Sequence, residues 1–213
     1  MTALSAALLA VAASCHAGSL QVHVVDKDGK PAADVVVLVD SFPRTAATPA
    51  ATPVVVAQDD LRFSPFLTVL PLGSTLRFVN RDAYDHHVRS TPSGPLGAVP
   101  PAQSFEMRLG AAPRKAAPVD VVVHSAGPIG LGCHLHASMR GQVYVAATPW
   151  FGKTDAQGAV LIDGVPEGVT EVRLWHSDQL QEQLPLKLTV GAAPQRVEAA
   201  LNFSPRLSLR RRS

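Results

Sequence analysis

The sequence predicts an all-β protein, a sandwich or barrel of short strands, and three observations carry that expectation. Runs of β-branched and alternating apolar residues recur along the chain, among them "VVVLV" (35–39) and "STLRFVN" (74–80). Gly and Pro, 15 and 18 of the 213 residues, punctuate those runs. Beyond the first seventeen residues, no segment longer than a turn repeats apolar side chains at helical spacing.

The chain opens with "MTALSAALLAVAASCHAGS", an apolar run from Ala3 to Ala13 followed by small residues. Residues 1–17 therefore read as an export leader cut after Ala17, although no Lys or Arg precedes the run and Cys15 stands where Ala is usual. The run is too short to span a bilayer, so no stable membrane span is expected. Export to the periplasm is the expected fate. Lipid attachment at Cys15 is the alternative, and the residues before it match that pattern poorly. Removal of the leader would leave Cys133 as the single cysteine, without a disulfide partner.

Strands are expected next at Val22 to Val25 and Val35 to Val39, separated by the turn formers of "DKDGKPAAD". "SFPRTAATPAATP", Ser41 to Pro53, has the composition of a linker. "FLTVL" and "STLRFVN" follow around the turn "PLG", then "SFEMRL", "VDVVVHS" and "GQVYVAA". The last part supplies "GAVLI", "VTEVRLW" and "LPLKLTV". Residues 204–213 form a basic, solvated tail, since Arg206, Arg210, Arg211 and Arg212 lie in the last eight positions. Setting those four aside leaves 15 of the 19 basic side chains against 17 acidic ones, which gives no basis for nucleic-acid binding.

Chemistry is concentrated in "LGCHLHASMRG", Leu131 to Gly141, with one cysteine, two histidines and a methionine within seven residues. A metal that carries one electron needs a site suiting both oxidation states. A thiolate and two imidazoles with a weak axial thioether provide this for copper. Cys133, His136 and Met139 supply three such donors from one tight loop. Zinc fits less well, because Met is not a usual zinc ligand and no second cysteine is at hand. A redox-sensing thiol would leave Met139 and the histidine spacing unexplained. One loop cannot surround an ion, so the fourth donor should come from another strand end. "VNRDAYDHHVRS", Val79 to Ser90, offers His86 and His87.

This pair of motifs resembles the cupredoxins, the small blue copper proteins, and the short loop is closest to the amicyanin type. The resemblance implies a Greek-key β-sandwich over residues 54–147 and one type 1 copper ion. His86 aligns with the family's early ligand, and His87 takes the place of an Asn that normally braces the ligand loops. The reverse assignment, His87 as ligand and His86 as brace, remains open. The outer segments resemble a second family, the prealbumin-type or carboxypeptidase regulatory-like sandwich. That family opens with a strand-DxxGxP-strand hairpin and continues with TDxxG and PxGxxxV, as in "GKTDAQGAVLIDGVPEGVTEV". The expected organisation is one sandwich split between 19–40 and 152–203, with the copper domain inserted between residues 41 and 150; two independent hairpin modules are the alternative. The whole arrangement resembles exported proteins labelled methylamine-utilisation-like, a label that by itself does not involve methylamine.

Other residues have plainer explanations. His134 reads as a solvent-facing loop residue, His23 and His124 as sheet residues, and Met107 and Trp175 as core. No Ser-His-Asp or paired-carboxylate arrangement indicates an enzyme. The expected function is periplasmic one-electron transfer through brief contacts with redox partner proteins. Docking would fall on apolar Leu131, Leu135, Ala137 and Pro128 around His136, with Arg89 and Arg140 steering the encounter. Copper storage or delivery is the first alternative, and a non-redox β-module with a structural copper site the second.

Overall fold

The computed structural model describes residues 17–113 and 117–206. Residues 1–16 of the expected leader, with Cys15, lie outside the described residues, as does the tail beyond 206, with Arg210 to Arg212. Among the described residues all regular structure is strand, and no helix is long and apolar enough to cross a membrane. The first eight strands are β1 (Ala17–Val25), β2 (Val36–Ser41), β3 (Val54–Asp59), β4 (Arg62–Ser64), β5 (Leu67–Pro71), β6 (Thr75–Asn80), β7 (His86–Thr91) and β8 (Glu106–Leu109). The rest are β9 (Val119–Val122), β10 (Gly127–Cys133), β11 (Arg140–Ala146), β12 (Trp150–Lys153), β13 (Ala159–Pro166), β14 (Gly168–Trp175), β15 (Leu186–Val190) and β16 (Gln195–Ala200).

These strands make four sheets that pack as two sandwiches. In the first, the sheet β13-β1-β16 faces the sheet β12-β2-β14-β15. The strands on the two sides of the long middle segment thus pair directly: β1 runs antiparallel to β13 and parallel to β16, and β2 lies between β12 and β14. Leu20, Val22 and Val24 alternate inward from β1 to meet Val35, Val37, Val39, Ile162, Val172 and Val197 in one core. The hairpin expected at the start is not formed: β1 and β2 lie in opposite sheets, as do β12 and β13, and two matching turns carry the chain across from one sheet to the other. The Asp26 carboxylate accepts the N–H groups of Asp28 and Lys30, and Asp155 accepts those of Gln157 and Ala159. Gly29 and Gly158, each three residues after its Asp, both have φ 76°, where a Cβ would be strained. Between the two turns, buried Thr154 accepts the Val35 N–H and donates to the Ala32 carbonyl.

In the second sandwich, β4-β3-β6-β9 faces β5-β11-β10-β7-β8. Its core holds Val56, Phe63, Leu76, Phe78, Val88, Leu109, Ile129, Leu131 and Val143, together with Cys133 and Met139. The central strand β10 carries "GPIGLGC", poor in β-formers, yet it bonds β11 on one side and β7 on the other. Its glycines permit close approach: a Cβ on Gly130 would stand 2.5 Å from Thr91 Oγ1 and 2.7 Å from the Pro92 carbonyl oxygen.

A third apolar cluster lies between the sandwiches. Val36 and Leu38 of β2 and Trp175 of β14 meet Leu67 of β5 and Tyr144 and Ala146 of β11, with the Tyr144 and Trp175 rings 5.0 Å apart. Trp175, expected in a sandwich core, is instead buried in this seam. Strand β2 is consequently covered on both faces, which explains why "VVVLV" does not alternate. The linker, residues 42–53, crosses from one sandwich to the other without regular structure; the Ala47 N–H donates to the Ala147 carbonyl where the chain returns.

Candidate metal centre

The site forms where β7 begins and β10 ends. On β7, the two-residue alternation sends His86 and Val88 inward and His87 and Arg89 outward. Cys133 closes β10 opposite Val88, and the His134 N–H bonds the His87 carbonyl, which pins the following loop to the strand. That loop turns tightly, the Met139 N–H reaching the His136 carbonyl at 3.0 Å before β11 starts.

Three donor atoms converge there. His86 Nδ1 is 3.7 Å from Cys133 Sγ, His136 Nδ1 is 3.6 Å from the same sulfur, and the two Nδ1 atoms are 3.2 Å apart. A triangle with those sides has its centre about 2 Å from each corner, the length of a metal–nitrogen bond and a little under the roughly 2.3 Å of a metal–sulfur bond. The donors therefore fit a single ion without rearrangement of the strands. His86 is wholly buried, Cys133 is 4% exposed, and His136 is half-buried. Met139, 1% exposed, lies in the same apolar cluster as Cys133. The Cys133 sulfur also accepts the His87 backbone N–H at 3.4 Å.

His87 takes a different place. Its ring leaves the cluster and its Nε2 lies 2.8 Å from Glu106 Oε1, an oxygen that His134 Nε2 approaches at 3.5 Å. The backbone of His87 contacts the Cys133 loop directly, and its side chain, on the outer face of the sheet, meets that loop only at His134. His134 is exposed beside it, the two rings 5.0 Å apart. The expected apolar surface around His136 is also smaller than the sequence implies. Leu135 and Ala137 are exposed, but Leu131 is core and Pro128 lies at the far end of β10, opposite Tyr144.

Two residues that sequence reasoning missed complete the site. Asp82 Oδ2 lies 2.8 Å from His86 Nε2, and the same carboxylate accepts the N–H groups of Asp60 and Leu61 at the β3–β4 turn. Burial pushes the Asp82 carboxyl pKa up, but the bonds from His86, Leu61 and Asp60 outweigh it and hold the group below its ordinary value. Asn80 supports Asp82 by accepting its N–H, while donating to the carbonyls of Tyr84 and Gly110. The Tyr84 ring sits 5.5 Å from the His86 ring and 5.4 Å from that of His136, and is 41% exposed. Tyr84 thus caps both imidazoles from outside. The one signal available was the "DAYDHH" spacing, which places Asp82 and Tyr84 four and two residues before His86.

Fold and site together define an all-β, two-sandwich protein with a buried Cys/His/His cluster that could hold one metal ion. No family model matches the chain, and no curated protein matches it. Among solved structures, the chain is similar to amicyanin variants. One is the Cu(I) form of a methionine-to-alanine mutant, with TM-score 0.35 and 23% identity, covering 45% of this chain and 84% of that one. A reduced Cu(I) form at pH 4 of a proline-to-glycine mutant gives the same figures. The Cu(I) form of another methionine-to-alanine mutant has TM-score 0.35 and 22% identity, covering 51% of this chain and 97% of that one.

Proposed function

We propose that this protein is an exported one-electron carrier, acting in the periplasm through a single type 1 copper ion. The observation that carries the proposal is the triangle of Cys133 Sγ, His86 Nδ1 and His136 Nδ1, a trigonal sulfur–nitrogen donor set with a buried thioether, Met139, in the same core cluster. In this assignment His86, Cys133 and His136 would hold the ion, Met139 would add a weak thioether donor, and His87 supplies its backbone N–H to the Cys133 sulfur. Residues 54–147 form the electron-transfer domain, and 19–40 with 152–203 the regulatory-like sandwich that holds it.

Copper would supply the one-electron couple; the chain supplies a site that resists rearrangement. Asp82 fixes the His86 ring, the His87 N–H fixes the thiolate, and the strand ends of β7 and β10 hold both side chains in a packed core. A donor set that keeps one geometry in both oxidation states loses little energy to reorganisation. The core excludes water from Cys133, while the half-buried His136, with Tyr84 and Leu135 beside it, is the path by which an electron reaches a docked redox protein.

Titrating the metal-free protein with Cu(II) tests this directly. The expected result is an intense blue thiolate-to-copper band that saturates at one equivalent, together with a reversible one-electron wave. Tight Cu(I) binding without the band would move the assignment to copper delivery, and binding without a reversible wave to a structural site.

A further inference from the structure

We propose that Asp82 is a positioning residue for this centre, whose buried negative charge makes the site hold a divalent ion in preference to a monovalent one. The inference rests on the copper assignment above only for its electron-transfer consequence. Its basis is the hydrogen-bond chain behind His86.

A neutral imidazole carries one proton. His86 Nε2 faces Asp82 Oδ2 at 2.8 Å, whereas Nδ1 faces Cys133 Sγ at 3.7 Å and His136 Nδ1 at 3.2 Å. The proton therefore belongs on Nε2, where a carboxylate accepts it, and the Nδ1 lone pair is left directed at the other donors. The arrangement is rigid because Asp82 has no freedom to turn away. Its Oδ1 accepts the Asp60 N–H at 2.8 Å, its Oδ2 the Leu61 N–H at 3.2 Å, and its own N–H is held by Asn80.

A neutral acceptor such as a backbone carbonyl would also orient the ring. A carboxylate does more: it places a full negative charge one imidazole away from the ion. With His86 at 0% and Asp82 at 8% exposure, water screens that charge poorly. The attraction grows with the charge of the ion. It also draws the Nε2 proton outward, which makes Nδ1 a stronger donor to the more highly charged state. Asp82 thus favours Cu(II) over Cu(I) and lowers the reduction potential.

The test compares wild type with Asp82→Asn, which can retain an oxygen for the Nε2 proton and removes the charge, while losing the acceptor for the Asp60 N–H. In competition titrations of the metal-free proteins, Asp82→Asn should weaken Co(II) and Cu(II) binding by about 10–100-fold, the usual cost of losing such a partner, with a smaller loss for Ag(I) and Cu(I). The copper potential should rise accordingly, by 59 mV for each tenfold difference between the two losses. Equal losses for divalent and monovalent ions would mean that Asp82 only supports the fold, and would overturn the proposal. So would the absence of any loss. Should the variant fail to fold, nitrogen NMR of the His86 ring in metal-free wild type decides instead. A proton on Nε2 is expected, and a proton on Nδ1 would overturn the proposal. A wild type that binds Co(II) through Cys133 but never turns blue with Cu(II) would sink the copper assignment and leave the Asp82 comparison intact.

Discussion

Cys133 is a core residue and, in the proposed site, a metal donor, and the two roles have separable costs. Replacing it with Ser should abolish the blue band, because the sulfur-to-copper transition has no oxygen equivalent. The same change buries a hydroxyl among Val88, Leu131 and Met139, at a cost of about 1–3 kcal/mol in the metal-free protein. Visible spectroscopy and denaturant unfolding read the two effects independently, and a band that survives would remove Cys133 from the ligand set. Met139→Gln should keep copper while shifting the potential, since an axial donor tunes the ion more than it holds it; an unchanged potential would argue that Met139 is core alone. These residues are legible in the sequence because Cys133, His136 and Met139 share one short loop. Asp82 and Tyr84 are not, because their spacing in "DAYDHH" alone does not show which side chain turns behind an imidazole or over its face. The choice between His86 and His87 likewise turns on strand phase: the side chain that points inward from the first residue of β7 is the one in the cluster.

At the scale of the strand, β10 shows where propensity misleads. Pattern reasoning finds β2, β6 and β14 from β-branched runs, but "GPIGLGC" is not among the expected strands, and the structure makes it the middle strand of its sheet. The absence of side chains at Gly130 and Gly132 is what allows β7 to lie so close to β10. Gly130→Ala should therefore destabilise the protein by about 1–3 kcal/mol, the range for overpacking. Because His86 lies on β7 and Cys133 on β10, the substitution should also perturb the copper spectrum. Gly191→Ala, where a Cβ would meet nothing within 4 Å and the backbone needs no positive φ, is the matched control and should leave melting temperature and spectrum unchanged. If both variants melt alike, packing against Thr91 is not what selects glycine at 130.

For the whole molecule, the seam of Val36, Leu38, Leu67, Tyr144, Ala146 and Trp175 decides how far the two sandwiches act as one. Trp175→Ala should cost about 3 kcal/mol, in the usual range for removing a buried aromatic. It should also split a single calorimetric transition into two, one for each sandwich. A single sharp transition in the variant would show that the seam is not the coupling. The two-sided burial of β2 was written in the unbroken run Val35 to Val39, since a strand with one wet face alternates. What covers its second face was not, because the partner residues come from β5 and β11, in the middle of the chain.

The hydrogen bond from Thr148 to the Val39 carbonyl joins residues 109 apart in sequence. Such a contact carries a consequence for the order in which the chain folds. Bringing the ends of so long a flexible loop together costs about 4 kcal/mol on the logarithmic dependence on loop length. Once the middle sandwich has folded, only the linker, residues 42–53, is left to close between it and β2. The expected order is therefore the middle sandwich first and the outer one after it, with an ion bound to the former raising the population from which the latter closes. The chain carries its own reporters for this, as its two tryptophans, Trp150 and Trp175, both belong to strands of the outer sandwich. Refolding followed by tryptophan fluorescence should be faster with one equivalent of Co(II) than without metal, and the gain should vanish in Cys133→Ser.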